Sequence, residues 1–116
     1  MVKNINDYLV SYNIESRSIN SFWTYMSSWK KDDYEDYIEF LQEIKLDERK
    51  LNRDFVKLNK EFIELNIYYD ENENRNNYSD YFSISFAVEI ENKKFFSYNA
   101  CYTKTGKSKD DFIKII

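Results

Sequence analysis

Glu91-Asn92-Lys93 has the spacing of the E-x-K half of a metal-dependent nuclease signature. In such a site carboxylates hold magnesium and the lysine assists the attacking water. Asp70 or Asp80 would be the distant acid. The tripeptide, however, falls at a chain reversal rather than inside a strand beside a buried acid, and a salt-bridged turn explains it as well. A second mimic is Asp70-Glu71-Asn72-Glu73-Asn74-Arg75, which opens like an EF-hand loop. Arg75 stands where the sharp turn needs glycine, and Tyr81 stands where a bidentate glutamate is needed. A solvated loop is the simpler reading. The chain has no histidine, one cysteine and one glycine. It therefore lacks the commonest general base and zinc ligand. Cys101 has no histidine partner for thiolate chemistry, and no glycine-rich phosphate loop can form around Gly106 alone. No catalytic residue, metal site or cofactor is expected, and the chain reads as a binding protein, not an enzyme.

What remains is a charge pattern. Asp32, Glu35, Asp36, Glu39 and Glu43 recur at helical spacing opposite Tyr34, Tyr37, Ile38 and Leu41. One reading is the solvated face of an amphipathic helix. The sharper reading is a surface that imitates a nucleic-acid backbone and docks in a basic groove, with fast, salt-sensitive association. Few lysines interleave with these acids, which keeps the docking reading open. Asp70, Glu71 and Glu73 add acids in a polar, asparagine-rich loop spanning 70–80. A third pattern is basic. Lys93, Lys94, Lys104, Lys107 and Lys109 lie near Phe95, Phe96, Tyr98 and Tyr102, the ingredients of a single-strand nucleic-acid surface.

The elements that must position these residues follow from periodicity. Asn4 caps a first helix from Ile5 to about Asn13, striped by Ile5, Tyr8, Leu9 and Tyr12. A second helix begins near Ser18, with Ile19, Phe22, Trp23, Met26 and Trp29 inward. A third begins at Asp32, which with Glu35 makes a variant capping box. A fourth is capped by Asp47, with Leu51, Phe55, Leu58 and Phe62 as its stripe. A strand follows over 62–70, where Ile63, Leu65, Ile67 and Tyr69 alternate. Tyr81 to Thr103 is a hairpin. Phe82, Ile84, Phe86, Val88 and Ile90 share one side of the first strand, and Phe96, Tyr98, Ala100 and Tyr102 one side of the second. An odd-length loop, Glu91-Asn92-Lys93, aligns Phe86 with Tyr98 and Val88 with Phe96; one residue of slip exchanges the faces. Tyr68, Tyr81 and Phe95 fall on the less apolar side, either as anchors for a protein partner or covered by helices. Ser108-x-x-Asp111 reads as the cap of a short C-terminal helix.

The expected fold is α+β: about four N-terminal helices packed on a three-stranded antiparallel β-meander, with a short C-terminal helix. One domain spans 1–116, with a helical half over 1–60, the meander over 61–106 and the last helix over 108–116. A single cysteine excludes an intrachain disulfide and fits a reducing, cytoplasmic setting. No apolar run reaches the length of a membrane span, and no signal peptide is evident.

Formal charge is −4 and aromatic residues make up 19% of the chain. Residues 1–92 carry a net −8 and residues 93–116 a net +4. Net acidity argues against general nucleic-acid binding. Asn, Lys, Ile and Tyr are abundant while Gly, Ala, Pro and Arg are scarce. That bias follows AT-rich codons and suggests a low-GC bacterium or a phage or mobile element within one. In size and charge the chain resembles anti-CRISPR proteins. The resemblance covers no motif, and it implies an inhibitor that occupies the surface of a nucleic-acid-binding effector. An immunity protein for a toxin nuclease and a small nucleic-acid-binding regulator are the alternatives. The partner expected is a protein with a basic surface, engaged by the acidic helix and the loop.

Overall fold

A computed structural model of the chain describes residues 4–69 and 78–115, with backbone only for 66–69 and 78–80. Three α-helices come first: α1 (Ile5–Ser11), α2 (Ile14–Asp32) and α3 (Tyr34–Glu43). A 3₁₀ turn at Glu48–Lys50 leads into four strands: β1 (Val56–Tyr69), β2 (Tyr78–Ile90), β3 (Lys93–Thr103) and β4 (Ser108–Lys114). The strands form one antiparallel sheet in the order β1-β2-β3-β4. The class is α+β, as expected, but the described residues hold three helices and four strands rather than four and three.

The helix starts are set by asparagine and aspartate. Asn4 Oδ1 accepts from the Asp7 amide at 3.0 Å and caps α1. Asn13 adopts φ +54, and its carbonyl accepts the first bond of α2 from the Arg17 amide. Helix two thus starts at Ile14, earlier than Ser18, and Ile14 is fully buried. The cap of α3 is Asp33, whose carboxylate accepts from the Asp36 amide; Asp32 is the last residue of α2.

Two expected helices are absent, for related reasons. Leu51, Phe55 and Leu58 do not make a fourth helix. Asn52 folds the chain back, accepting from the Asp54 amide and donating to the Arg49 carbonyl. Phe55 is exposed, and β1 begins at Val56 because Val56 and Leu58 pair with Ile90 and Val88. The strand thereby has 14 residues and starts six residues earlier than the expected 62, and the boundary between helical half and sheet moves from 60 to 55. Residues 108–114 form β4, not a helix. Pairing with β3 places Ile113 beside Tyr98 under the helices and Phe112 beside Asn99 on the other face. Satisfying the open edge of β3 outweighs a local capping signal and the poor strand propensity of aspartate.

The helices cover one face of the sheet. Phe22 of α2 packs on Phe96 and Tyr98, Phe40 of α3 on Phe96, and Tyr8 of α1 on Phe82. Tyr8 O–H donates to the Thr103 carbonyl at 2.5 Å, and Ser18 shares a hydrogen bond of 2.7 Å with Tyr102 O–H. The guanidinium of Arg17 donates to the carbonyls of Tyr12 and Gly106 and to Ser108 Oγ, closing the β3–β4 turn onto α2. Within the expected stripes Ile5, Ile19, Tyr34, Phe62 and Leu65 prove exposed, and Phe40, absent from them, is buried.

The hairpin register is the expected one: Phe86 lies opposite Tyr98 and Val88 opposite Phe96. It is reached differently. The reversal is a two-residue turn, Glu91-Asn92, with φ of +54 and +64. A β-bulge at Phe95 supplies the extra residue that restores the faces. A bulge at Glu61 in β1 acts likewise, and its carboxylate crosses the helix-free face of the sheet. There it accepts from Lys94 Nζ at 2.9 Å, Ser97 Oγ at 3.1 Å and Ser85 Oγ at 3.4 Å. The hydrogen bond from Lys94 holds the Glu61 carboxyl below its ordinary range.

Candidate acidic groove

The connection between α2 and α3 is one residue, Asp33, which ends the first helix and caps the second. So short a link brings the last turn of α2 against the face of α3. Trp29 fills that corner, its ring 4.9 Å from Phe40 and 5.8 Å from Tyr37. Its indole N–H donates to Asp36 Oδ2 at 2.9 Å, which fixes the Asp36 side chain. Tyr25, one turn earlier, stands 6.2 Å from Trp29 and 6.1 Å from Tyr98.

β4 runs along the open side of this pair. Its helix-facing residues Asp111 and Ile113 are only partly covered, and Ile115 beyond the strand end is exposed. Between the helices and the strand lies a groove in two chambers that share Tyr25, Trp29 and Asp36. One chamber, of 680 Å³, takes Asp32, Asp36 and Asp111. The other, of 500 Å³, takes Asp36, Glu39, Glu43, Phe40, Ile113 and Ile115. Among the described residues five carboxylates line the groove, and no lysine or arginine does. Asp111 accepts from Tyr98 O–H at 2.7 Å, so its orientation is fixed as well. Burial raises the Tyr25 phenol, and the charges of Asp111, Asp110 and Asp36 raise it further. Burial and the Asp111 bond raise Tyr98. Both phenols stay neutral donors beside the acids. An aromatic wall with converging carboxylates suits a planar or aliphatic cation, which gains charge pairing and ring contact together.

Of the acids singled out in the sequence, Asp32, Asp36, Glu39 and Glu43 line this groove. Glu35 lies one turn before Glu39 on α3, exposed and not part of the groove lining. Asp70, Glu71 and Glu73 lie outside the described residues, as does the EF-hand-like start. Asp111 was not singled out, because nothing local marks an acid within a net basic tail; only the β3–β4 pairing carries it to α2. Trp29 and Tyr25 read as core stripe and give no separate signal.

The other candidates have structural partners. Glu91 pairs with Lys50 at 3.2 Å at the turn. The Cys101 thiol is buried in β3 and pushed up by burial, the opposite of an activated nucleophile. Phe96, Tyr98 and Tyr102 are in the core and cannot stack on bases. Lys94 is held by Glu61, while Lys93 and Lys109 lie 5.1 and 5.0 Å from the rings of Phe95 and Tyr81. Tyr81 is half-buried on the helix-free face, and Phe95, at the bulge, is half-buried and packs against the core. Among the described residues no cluster of three metal-ligating side chains occurs, and no helix is long and apolar enough to cross a membrane.

The chain matches no protein-family model, no curated protein and no solved structure.

Proposed function

We propose that this chain is a small acidic binding protein that inhibits a larger partner by covering a basic surface that the partner uses for nucleic acid. The observation that carries this reading is the groove itself, with five carboxylates and no base among the described residues of one aromatic-lined cleft. Such a surface speeds encounter with a basic partner and disfavours phosphate backbones. The finer version is an anti-defence inhibitor of phage or mobile-element origin, anti-CRISPR-like and acting in the cytoplasm. An immunity protein against a toxin nuclease would use the same surface, and the neighbouring genes separate the two: phage structural genes for the first, a toxin gene for the second.

The test is a charge reversal that spares the fold. Glu35, Glu39 and Glu43 are exposed on α3, so lysine at all three leaves the Trp29–Asp36 bond intact. Wild-type chain is immobilised and used to capture proteins from the host cell. The expected result is a nucleic-acid-binding protein that is held at low salt, released as salt rises and missing from the triple variant. The captured protein's nucleic-acid binding is then measured with and without the chain. Equal capture by both forms, or a partner whose nucleic-acid binding the chain leaves unchanged, refutes the reading. Retention of the chain itself on single-stranded DNA at low salt favours the regulator reading.

A further inference from the structure

β4 is an edge strand, paired only with β3 among the described residues. Alternate N–H and C=O groups along its outer side therefore have no sheet partner. The other edge, β1, is blunted. It carries a bulge at Glu61 halfway along, and Lys60 reaches over to Glu15 of α2 at 2.8 Å. In β4 the bulge falls at Lys109, near the start, which leaves 110–114 regular. Its lysines do not obstruct the groove: Lys109 lies over Tyr81, and Lys114 over Phe112, on the helix-free face.

Resting on the docking role of the acidic groove, we propose that β4 receives an extended segment of the partner as a fifth strand. Alternate side chains of that segment, arginine or lysine among them, enter the groove. A strand added at the usual spacing of about 4.8 Å would send every second side chain to the helix side, beside Asp111 and Ile113. At the Asp111 level a cation meets Asp36 and Asp32 and the rings of Tyr25 and Trp29. At the Ile113 level an apolar side chain meets Phe40 and Ile115. The edge supplies main-chain hydrogen bonds and the groove supplies selectivity, which is the division of labour in strand addition. A nucleic-acid strand does not fit, because its phosphates would face the carboxylates. A second copy suits the groove less well: paired antiparallel about Phe112 it would set Lys114 opposite Asp110 on the helix-free face and bring Ile113, not a cation, beside Asp111, leaving the groove carboxylates without a counter-charge.

The probe is a synthetic peptide of about nine residues, with arginine and valine on alternate positions and threonine between them. Trp23→Phe makes Trp29 the sole tryptophan, which red-edge excitation selects over the tyrosines; Trp23 packs on Phe22 away from the groove. The peptide is expected to change Trp29 emission saturably below about 1 mM and to protect the amides of 110–114 from hydrogen exchange. N-methylation on one set of alternate residues should weaken binding about tenfold, and methylation on the other set should change it little, because only one set faces β4. Glutamate in place of arginine should abolish binding, and Ile115→Lys should weaken it about tenfold. No binding by the arginine peptide overturns the proposal. So does binding that ignores both methylation patterns and leaves β4 exchange unchanged. A wild-type dimer that Ile115→Lys dissociates would make a second copy the occupant and also overturn it. The α3 charge reversal remains a separate readout, so strand addition can fail while the acidic docking surface stands.

Discussion

The β2–β3 turn offers a quantitative test of how the sheet finds its register. Glu91 and Asn92 both sit in the left-handed region, at φ +54 and +64. Consecutive positive φ values match a primed hairpin turn, which favours Asn-Gly. Left-handed backbone costs a non-glycine residue about 1 kcal/mol or somewhat more, and asparagine less. Replacing Glu91 by Asn and Asn92 by Gly should thus recover about 1.5 kcal/mol in the folded state, reduced by the freedom glycine adds to the unfolded chain. The substitution also removes the Lys50–Glu91 ion pair. Its side chains are 46% and 68% exposed, so the loss is only a few tenths of a kcal/mol. The net gain is about 1 kcal/mol. At about 2.1 cal/mol/K per residue, 116 residues have an unfolding entropy near 0.24 kcal/mol/K, and Tm should rise about 4 °C. Thermal unfolding followed by circular dichroism measures this, with Lys50→Ala as the control for the lost ion pair. A double variant that melts no higher than Lys50→Ala would refute the two-residue turn. A longer loop with a different register would then be needed.

Three further outcomes follow from individual contacts. Gly106→Ala places a Cβ 2.3 Å from the Tyr12 ring at φ +79, so it should cost about 2–4 kcal/mol, read from the urea midpoint. Tyr8→Phe leaves the Thr103 carbonyl without its phenolic donor and should cost about 1–2 kcal/mol at neutral pH. Burial raises the Tyr8 phenol to about 12. Its raised value means that the associated stability is complete below pH 10 and is lost as pH rises through about 12, so Tyr8→Phe should flatten the alkaline limb of a pH–stability curve. Glu61 shows the opposite sign. Its carboxyl is lowered, so its contribution is present above the ordinary carboxylate range and is lost as pH falls through the lowered value. Glu61→Gln should therefore flatten the acid limb, seen as a smaller drop in urea midpoint between neutral and acidic pH.

The strongest local signals proved accurate where side-chain alternation and burial agreed. Strict alternation from Phe82 to Ile90 and from Phe96 to Tyr102 fixed both the strands and their alignment, since any other register would expose one apolar set. The acidic spacing of Asp36, Glu39 and Glu43 placed them on one side of α3. Where two periodicities fit the same residues, local reading failed. Leu51, Phe55 and Leu58 fit a helix, yet Val56 and Leu58 also fit a strand, and the long partner β2 decided between them. Ser108 and Asp111 fit a helix cap, yet Asp111, Ile113 and the exposed edge of β3 favoured a strand.

Sequence alone determined that the chain lacks a histidine-based or cysteine-cluster site, that its N-terminal part is helical and acidic, and that a two-faced hairpin forms its later half. These follow from composition and from periods of a few residues. Tertiary structure decided the bulges at Glu61 and Phe95, the conversion of the tail into β4, and the groove that joins Asp36 to Asp111. Each depends on residues far apart in the chain, whose free energy of contact exists only once the sheet and helices have packed. The acidic stripe was written in α3; the cleft with Trp29 on its wall and an open strand edge beside it was not.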